Sequence, residues 1–155
     1  KEVFIIPEPK IQEEVAVIPG TDGQKMSKSY NNTIEINDAG KSLKKTVMKI
    51  VTDSKGLEDV KNAEKCNIFA LYKLFSSDEE QNEMVLCYKR GGMGYGHAKT
   101  ELLKKIELYF APIRDKRKDL EKDLDYVQDV LKEGAKKASS IATDVLSRAR
   151  EAVGL

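Results

Sequence analysis

The sequence contains no tryptophan, four prolines and one histidine, His97. No cysteine, serine or carboxylate partner for that histidine is identifiable in the sequence. It therefore reads as a surface or helix-start residue rather than a catalytic one. Cysteine is equally scarce. Cys66 and Cys87 have neither metal-ligand spacing nor a disulfide framework. Each lies in an apolar helical pattern, so both read as buried thiols in a reducing cytoplasm, and no metal is expected. No apolar run approaches the roughly 20 residues of a membrane span, and no signal peptide is visible. Net charge is also missing. Lys plus Arg total 27 and Asp plus Glu 26, so no global basic field draws the chain to nucleic acid. Any RNA contact has to come from a local patch, and neither DNA nor a membrane is an expected partner. The first residue is Lys1 and not methionine, which fits a fragment of a longer protein.

What is present is charge mixed with apolar periodicity. A 40% hydrophobic, 34% charged composition suits a helix-rich chain. One polar stretch stands apart, Pro19-Gly20-Thr21-Asp22-Gly23-Gln24-Lys25-Met26-Ser27-Lys28-Ser29-Tyr30-Asn31-Asn32-Thr33. Its two glycines predict a readily bending segment. Lys25 and Lys28 are hydrated cations on flexible stems. Ser27 and Ser29 add hydroxyl donors, and backbone amides can add more. Such a set can clamp a polyphosphate, and it can equally be a solvated connector.

Lys25-Met26-Ser27-Lys28-Ser29 resembles the KMSKS signature of class I aminoacyl-tRNA synthetases. The longer run from Pro19 to Tyr30 resembles the tryptophanyl-tRNA synthetase form of it. Val51-Thr52-Asp53-Ser54, Gly94-Tyr95-Gly96, Ala111-Pro112-Ile113-Arg114 and the ending Arg148-Ala149-Arg150-Glu151-Ala152-Val153-Gly154-Leu155 are similar in the same order. The resemblance thus spans nearly the whole chain. It implies residues 1–36 as the tail of a Rossmann-like catalytic domain carrying the loop, and residues 37–155 as a helical anticodon-binding domain.

Periodicity predicts a mainly α architecture, a bundle of about five helices after a short α/β remnant. Residues 15–18 (Val-Ala-Val-Ile) read as a strand, residues 3–6 as an extended segment, and residues 33–36 as a possible short strand. A first helix is expected over residues 39–51, capped by Asn37 or Asp38. Leu43, Val47, Ile50 and Val51 form its apolar face; Lys41, Lys44, Lys45 and Lys49 form the opposite one. That lysine face reads either as solvated surface or as a contact for an RNA phosphate backbone. Further helices are expected over residues 63–75, over 77–89 with a Ser77–Glu80 capping box, over 97–118 with a Pro112 kink, and to about residue 152 from an Asp123 or Asp125 cap. Residues 90–96, despite four glycines, have no preceding strand and read as a helix stop and turn. Arg90 within them is a further RNA candidate. At 114–121 the basic cluster Arg114, Lys116, Arg117 and Lys118 is interrupted by Asp115 and answered by Asp119 and Glu121, and the mixture reads as ion pairs.

The resemblance also implies chemistry. In the family, an amino-acid carboxylate attacks the α-phosphorus of ATP, pyrophosphate departs, and the amino acid passes to tRNA. By that pattern Lys25 and Lys28 are catalytic and stabilise the leaving pyrophosphate. Ser27 and Ser29 donate hydrogen bonds, and the Met26 backbone lies near adenine. ATP with Mg2+, tryptophan and tRNA are the implied substrates and partners, a homodimer the implied full-length state, and the cytoplasm the implied location. The family's other signature, a His-containing motif early in the catalytic domain, has no counterpart here. The chain alone is therefore expected to be inactive and to bind no cofactor by itself. A tyrosyl-tRNA synthetase fragment and a non-catalytic helical RNA-binding module are the alternative readings.

Overall fold

The structure, a computed structural model, describes residues 3–12 and 15–155. Among the described residues five α-helices follow in order: α1 Gly40–Met48, α2 Asn67–Tyr72, α3 Asp78–Arg90, α4 Tyr95–Leu120 and α5 Leu124–Val153. Among the described residues, one 3-10 turn, Lys28–Tyr30, precedes α1 and another, Ala63–Lys65, lies between α1 and α2. The chain forms two compact units, Gln12–Arg114 and Lys1–Ile11 with Asp115–Leu155, and α4 is shared between them.

The first unit holds the core. Leu43 and Val47 from α1, Ile68 and Phe69 from α2, Tyr88 from α3 and Ala98, Leu102 and Ile106 from α4 are all buried. In α1 and in α4 these residues recur four apart, which places them on one face of each helix. Cys66 joins this core with its Sγ 3.5 Å from the Tyr88 hydroxyl, whereas Cys87 is only half-buried. Lys41, Lys44, Lys45 and Lys49 are exposed on α1, opposite Leu43 and Val47. Val51 departs from its expected place and is exposed, because α1 ends at Met48 and the chain has already turned away.

Helix ends follow local chemistry. At α3 the Ser77 hydroxyl accepts from the Glu80 amide at 3.4 Å, and Glu80 accepts from the Ser77 amide at 3.0 Å. The capping box read from the sequence is therefore formed. Gly91 stops the helix as expected. At α5 Asp123 caps the Tyr126 amide at 3.1 Å. At α1 neither Asn37 nor Asp38 caps. Ala39 is the N-cap, and the Gly40 amide instead donates to Glu107 of α4 at 3.2 Å. Tertiary packing supplies there the acceptor that a side-chain cap would have supplied. The helix expected over 63–75 is shorter, because Cys66 is extended (φ −100°, ψ 116°) after the 3-10 turn Ala63–Lys65. The Ser76 hydroxyl then donates to the Tyr72 carbonyl at the other end.

The expected strands do not form. Among the described residues the only pairing is an isolated antiparallel bridge between Pro19 and Lys25. Residues 15–18 have no neighbouring strand to satisfy their other backbone groups, and Val15 and Val17 are exposed. Residues 33–35 are irregular, and the chain turns at Ile36 and Asn37, closed by a hydrogen bond from the Asp38 amide to the Glu35 carbonyl. Phe4, Ile5 and Ile6 are exposed without regular structure.

In the second unit, α5 has no buried residue. Leu131 and Ile141, part of its anticipated apolar stripe, are 66% and 70% exposed. Ion pairs form as expected along α4 and just beyond it: Lys118–Asp115 at 2.9 Å, Arg117–Glu121 at 2.8 Å and Lys122–Asp119 at 3.0 Å. Arg114 does not join them. It is buried in the first unit, with Nε donating to the Ile36 carbonyl at 2.8 Å and its guanidinium over Phe110. No helix among the described residues is long and apolar enough to cross a membrane.

Candidate functional site

The polar stretch forms a tight hairpin-like turn. The Met26 amide donates to the Ile18 carbonyl at 2.8 Å and the Gly20 amide to the Gln24 carbonyl at 2.7 Å, bracketing the Pro19–Lys25 bridge. Gly23 supplies the left-handed residue (φ 83°) that the reversal requires. Ser27 is extended and caps the 3-10 turn Lys28–Tyr30, its hydroxyl accepting from the Ser29 amide at 3.3 Å. Asn31 then takes the αL conformation (φ 53°), which asparagine tolerates better than most residues.

One residue that the sequence reading did not single out holds this turn together. Asn32 is 1% exposed, in a segment where Lys28, Ser29, Tyr30 and Asn31 are all exposed. Its Oδ1 accepts from the Ser27 amide at 2.7 Å. Its Nδ2 donates to the Asp22 carboxylate at 2.8 Å and to the Lys25 carbonyl at 3.1 Å. Its backbone carbonyl accepts from the Thr21 amide at 2.9 Å. The bond from Asn32 holds the Asp22 carboxyl below the usual carboxylate range. Gly20 is required by packing: a Cβ there would sit 2.4 Å from Asn32 Cγ. The two glycines thus serve shape and close approach, and the segment predicted to bend freely is cross-braced.

The signature residues divide by exposure. Lys25, Lys28 and Ser29 are exposed; Met26 and Ser27 are half-buried, with Met26 packed on the core. Among the described residues neither lysine ammonium has a hydrogen-bond or ion-pair partner. The amides of Gly20, Thr21, Gly23, Gln24, Met26, Ser27 and Ser29 are all used internally. A clamp built broadly from backbone amides, one reading of the sequence, is therefore not what this turn offers. It offers two free cations on opposite sides of Met26-Ser27, and hydroxyls beside them. A cleft of about 610 Å3 nearby, lined by Val17, Ile18, Pro19, Leu74, Asp78 and Gln81 among others, contains none of the five signature residues.

The turn is tied to the helices through residues 51–61. The Val51 amide donates to the Thr21 carbonyl at 2.8 Å, and Asn67 Nδ2 of α2 donates to the Val51 carbonyl at 3.3 Å. Asp53 accepts from the Tyr95 hydroxyl of α4 at 2.7 Å, which lowers its pKa. Lys61 is 3% exposed. Its ammonium donates to the carbonyls of Gly56, Asp59 and Leu57 at 2.7, 2.9 and 3.3 Å and lies 5.3 Å from the Tyr95 ring centroid. The loop is folded around an internal cation.

The remaining candidates lie elsewhere. Lys41, Lys44, Lys45 and Lys49 share the exposed face of α1, and Arg90 is exposed at the end of α3. His97 is on the surface in the first turn of α4, 3.9 Å from Glu101.

A family model described as tRNA synthetases class I (W and Y) matches residues 1–111. Tryptophan–tRNA ligase of Fusobacterium nucleatum is 54% identical over 154 residues, which are 99% of this chain and 47% of that protein. The Rhodopirellula baltica tryptophan–tRNA ligase is 47% identical over 99% of this chain and 48% of its own length. Among solved structures, the Campylobacter jejuni tryptophanyl-tRNA synthetase complexed with ADP and tryptophan superposes with a TM-score of 0.83 at 45% identity, covering 99% of this chain and 48% of that one. The chain spans about half the length of the curated relatives it matches.

Proposed function

The chain belongs to the class I tRNA synthetase family of the tryptophan and tyrosine type, and from that premise we propose that it is the carboxy-terminal half of a tryptophan–tRNA ligase. In this reading residues 1–36 end the catalytic domain and residues 37–155 form the anticodon-binding domain. The whole enzyme activates tryptophan with ATP, taken as its magnesium complex, and transfers it to tRNA. The observation that carries the reading is the pair of ammonium groups, Lys25 and Lys28, that have no partner among the described residues and stand on a turn braced by Asn32.

Activation forms a bond between the tryptophan carboxylate oxygen and the α-phosphorus of ATP. The bond from that phosphorus to the oxygen bridging to the β-phosphate breaks, and its electron pair leaves with pyrophosphate. Negative charge therefore grows on the departing diphosphate. Lys25 and Lys28 meet that charge, and the Ser27 and Ser29 hydroxyls donate to its oxygens. Interactions that strengthen as the charge develops lower the barrier more than they tighten substrate binding. The Met26 amide is occupied by Ile18, so adenine is faced by the remaining Met26 backbone, its carbonyl. The exposed lysines of α1, with Arg90, contact tRNA phosphates by charge alone.

The test is to join this chain to an upstream catalytic half and measure amino-acid-dependent ATP–pyrophosphate exchange. Dependence on tryptophan supports the reading, and dependence on tyrosine reassigns the amino acid. Exchange by the 155-residue chain alone overturns the division of labour between the halves.

A further inference from the structure

We propose that Asn32, three residues beyond the five-residue signature, is a positioning residue that fixes where Lys25 and Lys28 stand. The proposal rests on the reading of those lysines as stabilisers of the leaving pyrophosphate. Asn32 touches neither lysine side chain; it grips the backbone that carries them. Its Nδ2 holds the Lys25 carbonyl, and its Oδ1 holds the Ser27 amide, one residue before Lys28. The two bonds clasp the chain on either side of Met26 and set the separation of the two lysine Cα positions.

Only a primary amide meets the demand. The Ser27 N–H needs an acceptor, while the Lys25 carbonyl and the Asp22 carboxylate each need a donor. A carboxamide presents one oxygen and two N–H groups on a single rigid plane. Asp22 also settles which end of the amide points where, because a carboxylate accepts and cannot donate. Burial adds cost to any substitute, since a polar atom left unpaired at a 1% exposed position loses water without gaining a partner. Gly20 leaves the room, with space for a hydrogen but not for a Cβ beside Asn32. The chain returns to reach this place because Asn31 turns it through αL. The arrangement is preorganisation: the cations are placed before the diphosphate forms, so little ordering remains for the reaction itself.

The experiment uses the full-length synthetase bearing these residues. Four variants are compared by ATP–pyrophosphate exchange: Asn32→Asp, the reciprocal pair Asp22→Asn with Asn32→Asp, Lys25→Ala and Lys28→Ala. Asn32→Asp sets two carboxylates against each other and removes both donors. Its kcat falls by about 10- to 100-fold, the scale of a displacement of about 1 Å, while KM for tryptophan stays close to that of the parent and the thermal midpoint falls with the lost bonds. The reciprocal pair restores one amide–carboxylate bond with the polarity reversed and keeps an acceptor for Ser27, so kcat rises well above that of the single variant. Parent-like kcat in Asn32→Asp, or no recovery in the reciprocal pair, overturns the proposal while reduced Lys25→Ala and Lys28→Ala activity leaves the lysine reading intact. Full activity of both lysine variants overturns the lysine reading itself. Should Asn32→Asp not fold, Asp22→Ala alone, which removes the carboxylate acceptor of Asn32 Nδ2 at an exposed position, is measured instead. A loss of kcat at unchanged tryptophan KM then supports the proposal, and kcat within about twofold of the parent overturns it.

Discussion

The Tyr95 hydroxyl donates to the Asp53 carboxylate at 2.7 Å while the Tyr95 ring covers the Lys61 ammonium at 5.3 Å. One aromatic residue of α4 thereby ties down both ends of the loop that connects α1 to α2. That loop in turn meets the signature turn through Val51 and Thr21. Lys61→Met keeps the stem and removes the charge, leaving three carbonyls without their donor. It should lower stability by about 3 kcal/mol, and Tyr95→Phe by about 1 kcal/mol. Thermal unfolding followed by circular dichroism checks both, and a Lys61→Met midpoint equal to the parent's would show that the ammonium does not organise the loop.

Acid should destabilise the fold in a defined direction. Asp22, Asp53 and Glu80 are all held below the usual carboxylate range, chiefly by the Asn32 amide, the Tyr95 hydroxyl and the Lys105 ammonium respectively. A carboxylate whose folded pKa lies below its unfolded value of about 4 stabilises the fold above that value. The contribution is lost as pH falls through the folded pKa. Tyr88 has the opposite sense. Burial raises its pKa strongly, so its contribution is present below about pH 10 and lost as pH rises further. The unfolding midpoint should be flat between about pH 5 and 9 and fall on both sides. Replacing the three carboxylates by Asn, Asn and Gln should flatten the acid limb, and an unchanged acid limb would place the acid sensitivity elsewhere.

The α1 lysines give a third prediction. Changing Lys41, Lys44, Lys45 and Lys49 together to Gln should weaken tRNA binding and make its salt dependence shallower, by up to about 3 in the slope of log affinity against log salt. Filter-binding titrations at several salt concentrations measure this. Unchanged affinity and slope would leave that face as solvated surface.

Much of this was legible because short-range chemistry controls it. Ser77 and Glu80 announce the start of α3, Asp123 the start of α5, and the apolar spacing of Leu102 and Ile106 the buried face of α4. What periodicity could not show depended on distant partners. Residues 15–18 have the composition of a strand, but a strand needs a neighbour. The start of α1 is served by Glu107, 67 positions away. Arg114 sits among charges in sequence yet is buried against Phe110 and Ile36. Asn32 was hidden for a different reason. Asparagine in a polar turn is ordinarily exposed, and only the conjunction of Gly20, Asp22 and Asn31 around it marks a buried hub. The signature lysines were legible from sequence; the residue that holds them was not.

The central claim is that two braced cations meet the pyrophosphate as it leaves. It is tested most directly by single-turnover formation of tryptophanyl-adenylate in the full-length synthetase with Lys25→Ala and with Lys28→Ala. Each change should slow the chemical step about 100-fold or more, on the order of 3 kcal/mol at the transition state, with tryptophan affinity nearly unchanged. Adenylate formed at the parent rate by both variants would contradict the account.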